Sequence, residues 1–188
     1  MTDVEILRDL FRNLAAVVHR TLGGVSPDEL RWQPDQEANN IAVTAWHFSR
    51  AFDIFKVRLF EGRSTDDELW YMRGWAAKTG YDPRGLGFGG FGNLAGYTQA
   101  EVQAVPILSV DDLLAYFDQV FEALSTYLGE MPSGALYQPA AGWPDSQRTV
   151  YEWLRNLLAD SHEHIGETKA IRAMWERKTR SAGSRGEN

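Results

Sequence analysis

Cysteine is absent from this 188-residue chain, and that absence closes three chemical routes at once. The protein can form no disulfide, build no thiolate metal site, and use no thiol of its own as a nucleophile. Any sulfur chemistry has to arrive on a ligand. Also missing is an apolar run of roughly eighteen residues, the length a helix needs to span a bilayer. The opening "MTDVEILRDLF" is acidic and amphipathic rather than basic and then apolar, which argues against a secretory signal. Together these features predict a soluble, cytoplasmic protein that does not engage membranes. Positive charge is scarce as well: 19 Lys and Arg face 26 Asp and Glu, for a net charge of −7. The basic residues are scattered, so no nucleic-acid footprint is expected, and a small-molecule substrate is the expected partner. No "GxSxG" elbow occurs, and no segment alternates apolar and polar residues between hairpin turns.

What the chain does have is helical periodicity. Leu7, Leu10, Leu14, Val17 and Thr21 recur at steps of three and four, predicting a first helix over about 2–22 that the glycines at 23 and 24 stop. Ile41, Ala45, Phe48, Phe52, Phe55 and Leu59 form a second stripe, with Asn39 or Asn40 placed to cap it and Gly62 to end it. A third runs from Val110 to about Gly129 behind Ser109. A fourth runs from Val150 to about Lys178, entered through the capping-box pair Thr149 and Glu152. Each has one apolar face, so an all-α four-helix bundle is the economical fold. One domain over 1–178 is predicted, with the polar, Gly- and Ser-rich segment 179–188 as a frayed tail.

The connection between the second and third helices, about 62–108, is far longer than ordinary loops and is therefore expected to be functional. Two short helical starts are visible inside it, Thr65 with Glu68 and Thr98 with Glu101. "GLGFGG" at 85–90 matches a dinucleotide pattern on paper. It lacks the preceding strand and following helix that the motif needs, so it reads as a close-packing loop over the bundle mouth.

Two of the four histidines sit two positions apart in "ADSHEHIGET". At about 100° per residue, His162 and His164 point to nearly opposite sides of a helix and cannot share one ion. The core stripe Leu157, Ser161, His164, Thr168 selects His164 as the inward one, and His162 falls on the rim. Asp160, one turn earlier on the same side, gives the i, i+4 spacing that lets two side chains clasp one ion. Glu167 is placed to orient the imidazole from behind. His47 lies beside the Phe48 stripe on the second helix, near the bundle interior, and supplies a third donor. The predicted metal set is His47, Asp160 and His164, which suits Zn, Ni, Fe or Mn with open positions for water. Trp46 and Trp70 are candidates for the wall of an apolar substrate pocket beside His47.

Three segments, "SPDELRWQP" at 26–34, "WHFSR" at 46–50 and "HIGE" at 164–167, resemble the DinB/YfiT-like superfamily of four-helix bundles with a long crossover between helices two and three. The likeness spans roughly residues 3–178, and "DELWYMRGWAAKTG" in the long connection is similar to loops of that family. The resemblance implies a divalent metal held by one histidine on helix two and two at i, i+4 on the last helix. His47 and His164 match the first and last of these, and Asp160 stands where the middle histidine is expected. It also implies a thiol-dependent S-transferase or isomerase using a low-molecular-weight thiol, or a hydrolase. The alternative is a metal-free, non-catalytic bundle that binds or scaffolds a partner. A homodimer is the default assembly in either case.

Overall fold

A computed structural model describes residues 2–183. Four long helices carry the fold: α1 (Asp3–Leu22), α2 (Ile41–Ile54), α3 (Val110–Glu130) and α4 (Val150–Gly183). Each starts on a side chain that satisfies an otherwise orphaned backbone N–H. The Thr2 and Glu5 side chains cap each other's backbones at α1. Asn40 accepts from the Val43 N–H at 2.9 Å to open α2, and Ser109 accepts from Asp112 N–H at 3.1 Å to open α3. Thr149 and Glu152 form the reciprocal box at α4, with bonds of 2.8 and 3.2 Å. α4 continues through 179–183, five residues of the segment expected to be a tail, and 184–188 lie outside the described residues.

In the bundle, α1 and α2 each pack against both α3 and α4. Phe11 of α1 and Phe52 of α2 meet edge to face at 5.8 Å, and Phe48 of α2 meets Phe117 of α3 at the same distance. These rings lie in one continuous core, where each fully buried aromatic contributes about 1.5–3 kcal/mol. α1 is rotated slightly from the expected stripe. Phe11 and Val18 are buried in place of Leu10 and Val17, and Leu10 stays 43% exposed. Among the described residues there is no strand, only a single bridge between Pro139 and Thr149. No described helix is long and apolar enough to cross a membrane.

α2 is buried on nearly every side, because the crossover covers the face that the other helices leave open. It runs on into a π-helical stretch, Phe55–Phe60, before Gly62 turns the chain. The crossover then carries short helices at Leu69–Met72, Trp75–Thr79 and Gln99–Gln103. The last has its Thr98/Glu101 box as expected. Near its start the box is Ser64 with Asp67 rather than Thr65 with Glu68, because Glu68 is used elsewhere. Its carboxylate is fully buried and accepts from Arg50 of α2 at 2.7 Å. Asp53, one turn further along α2, accepts from the backbone N–H groups of Leu69 and Trp70, both at 2.9 Å, and from Tyr116 hydroxyl at 2.8 Å. Buried charges are costly unless paired and hydrogen-bonded, so this cluster fixes where the crossover sits on the bundle.

Candidate metal centre

His47 is the one residue of the α2 segment 41–54 that is not fully buried. Its ring faces α4, where His164 is half-buried: the two imidazole centroids lie 4.7 Å apart, with planes at 89°. Asp160 completes the group. One ligand atom from each of His47, Asp160 and His164 falls within 4.8 Å of the other two. The helical screw produces this convergence, since residues four apart on α4 stack on one side, and α2 packs against that side.

Both imidazoles are held from behind. His47 Nδ1 contacts the backbone carbonyl oxygen of Asn93 in the glycine-rich part of the crossover, which leaves Nε2 for the shared centre. His164 Nδ1 lies 3.1 Å from Glu167 Oε2, and its Nε2 faces Asp160 Oδ1 at 3.6 Å. A carbonyl behind one ring and a carboxylate behind the other is the usual outer support of metal-ligating histidines. The donor set also suits an ion in size. Ligand atoms about 2.1 Å from a tetrahedral ion are about 3.4 Å from each other, so a cluster within 4.8 Å closes onto one by small side-chain rotations. The residues present therefore fit a divalent metal.

Electrostatics at the centre are asymmetric. Burial, and then the neighbouring His164, lower the pKa of His47 below its usual value, so it stays neutral at pH 7. His164 is pushed up to about 9 by Asp160 first and Glu167 second. Asp160 is lowered mainly by its contact with His164. One imidazole is thus ready to ligate, and the other must first give up a proton.

The loop that supports His47 needs glycine. Gly87 has φ +70° and ψ −166°, a backbone region closed to other residues. A Cβ there would lie 2.3 Å from Ala95 carbonyl oxygen, which itself accepts from Phe88 N–H at 2.8 Å. "GLGFGG" is therefore a tight loop closed against Ala95.

His162 is exposed on the rim, and His19 pairs with Asp118 at 2.7 Å on the far side of the chain's sequence. Glu167 Oε2 is the atom behind His164 Nδ1. Trp46 and Trp70 lie in the core at 0% exposure, edge to face with one another at 5.9 Å, since the crossover closes over them. The aromatic surface next to His47 comes from Phe55 and Trp153 instead. Both face a half-open cleft of about 240 Å³ that reaches His47 and Asp160. Asn93 and Asn156 also line it. Asn156 could have been read from the sequence as the preceding step of the series 156, 160, 164. The Asn93 carbonyl could not, because a backbone oxygen leaves no mark on residue type.

Comparison with known proteins bears on the fold and the family. No curated protein matches the chain in sequence. A conserved protein from Enterococcus faecalis, known from a crystal structure, superposes with a TM-score of 0.73 at 17% identity, covering 92% of this chain and 96% of the other. At that identity the likeness speaks for the fold. The family model of the DinB superfamily matches residues 10–168, which include His47, Asp160 and His164. With the match running from the first long helix through the crossover into the last, over most of the chain, the chain belongs to the DinB superfamily.

Proposed function

We propose that the protein is a divalent-metal-dependent enzyme in which His47, Asp160 and His164 hold the ion, acting as a thiol S-transferase or isomerase or as a hydrolase. The observation that carries this reading is the convergence of three ligand atoms within 4.8 Å while each imidazole is tied at Nδ1 to a different support. Bound there, a divalent ion supplies the Lewis acidity that lowers the pKa of a thiol or a water. The chain's own residues do the rest. Asp160 brings one negative charge to two neutral imidazoles, which leaves a dication with residual positive charge to offer a nucleophile. Glu167 and the Asn93 carbonyl keep both rings aimed. The cysteine-free sequence means that any reacting thiol comes from outside the chain.

The competing reading, a metal-free scaffold, has one observation in its favour. As an imidazolium, His164 is already satisfied between Asp160 at 3.6 Å and Glu167 at 3.1 Å. Elemental analysis separates the two readings. The metalloenzyme carries close to one divalent ion per chain, and His47→Ala removes it. Stoichiometry far below one after supplying Zn, Ni, Fe or Mn supports the scaffold. A thermal-shift series with low-molecular-weight thiols then divides the enzymatic options: saturable stabilisation abolished by a chelator supports thiol transfer, and no response supports hydrolysis.

A further inference from the structure

The cleft beside the candidate metal centre has a chemistry of its own. Ala51 and Leu157 form its floor, and Phe55 and Trp153 meet edge to face at 5.4 Å and 77° as its wall. Trp153 is held in place. Trp143 stacks on it at 5.9 Å and 18°, and the Arg148 guanidinium lies 4.9 Å from its ring centre. A wall packed against Trp143 and Arg148 presents a rigid apolar edge to whatever enters.

Size narrows the occupant. A dry cavity of about 150 Å³ accepts a benzene ring, so a cleft of about 240 Å³ takes one ring and a polar head of a few atoms. It is smaller than the roughly 300–1,000 Å³ usual for drug-sized ligands, and the body of a peptide-like thiol would have to remain outside. Charge narrows it further. With an ion held, the centre carries one residual positive charge, and no lysine or arginine lines the cleft to add a second, so a singly charged head is matched and a dianion such as a phosphate ester is only half compensated.

Of the polar side chains in the lining, His47 and Asp160 belong to the metal centre, and the unpartnered Trp153 Nε1 and Asn93 Oδ1 are closed off from the cleft. Asn156 stands one turn before Asp160 on α4, facing the same cleft, and makes no side-chain hydrogen bond among the described residues. The geometry points to a substrate site for a small, neutral or singly charged aryl acid derivative, its ring on Phe55 and Trp153, its carbonyl head at His47 and Asp160, and Asn156 hydrogen-bonding that head. This assignment rests on the metal reading above, because the head is anchored where the ion would be.

Two probes separate the parts. Benzohydroxamate and acetohydroxamate share a metal-chelating head and differ only in the ring. Titrated calorimetrically into Zn-loaded protein, benzohydroxamate is expected to bind about 30-fold tighter or better, because its ring leaves water for the cleft. Trp153→Ala should bring that ratio close to one. Asn156→Leu should weaken benzohydroxamate about tenfold, with zinc content unchanged in both variants. Asn156→Leu keeps the branched shape of the side chain and breaks no existing bond among the described residues, so it guards against misfolding of the tryptophan variant. Equal affinities for the two probes, unaltered by either substitution, overturn the cleft assignment and leave the metal centre standing. Failure of the protein to take up zinc, with neither probe binding, overturns both.

Discussion

Metal uptake by this protein should be coupled to the loss of a single proton, and the size of the effect follows from the two imidazoles. His164 is pushed up to about 9 by Asp160 and Glu167, so at pH 7 it is protonated in nearly all metal-free molecules. Freeing its Nε2 then costs on the order of 3 kcal/mol, roughly two pKa units. His47, lowered below 6.5 by burial and by His164, is already neutral, and Asp160, lowered by His164, is already ionised. One proton therefore leaves for each ion bound. Apparent affinity should rise about tenfold per pH unit between pH 7 and 8 and level off above about pH 9. Calorimetric titration with zinc in buffers of different ionisation enthalpy measures the released protons directly. Tight binding with no proton release and no pH dependence would show that His164 is not a ligand. Release of two protons near neutrality would show that burial does not keep His47 neutral.

Two further substitutions test the supports of the fold and the site. Glu167→Gln removes the carboxylate behind His164 Nδ1 and should weaken metal binding about 10- to 100-fold. The loss shows most clearly near pH 9, because at pH 7 the same change also eases deprotonation of His164. An unchanged affinity there would mean that the ring is oriented by packing alone. Arg50→Met leaves Asp53 buried without its cation and Glu68 with only Arg58, 3.9 Å away, and should cost about 3–5 kcal/mol in urea denaturation. Adding Glu68→Gln in the same chain should recover part of that loss. A single-variant cost below about 1 kcal/mol would refute the view that the cluster fastens the crossover.

Much of this was legible in the sequence because helical periodicity and caps are local signals. The starts at Thr2, Asn40, Ser109 and Thr149 depend on side chains within three residues of the backbone groups they satisfy. The turn angle of α4 likewise separates His164 from His162 without knowledge of any neighbour. The less legible features depend on partners distant in sequence. Glu68 looks like half of a local box, yet it bonds Arg50 eighteen positions away, and the cap falls to Ser64 and Asp67. Trp46 and Trp70 look like pocket residues next to His47, but the crossover folds over them, which no spacing reveals. α1 presents Phe11 rather than Leu10 because the larger ring fills the space beside Phe52.

The same crossover that hides the tryptophans also sets the candidate centre. Its first part is fastened inside the bundle by Arg50, Asp53 and Tyr116. Its glycine-rich part then reaches back over the mouth to place the Asn93 carbonyl on His47. His47 and the cluster lie on one helix, with Arg50 three residues beyond the imidazole, so the anchor and the site share one rigid element. Displacing the crossover would at once remove the support of His47 and open one side of the cleft lined by Asn93 and Ala95. A centre that must keep an imidazole neutral and aimed, beside a cleft partly screened from water, needs both the burial that lowers His47 and the carbonyl that fixes its ring.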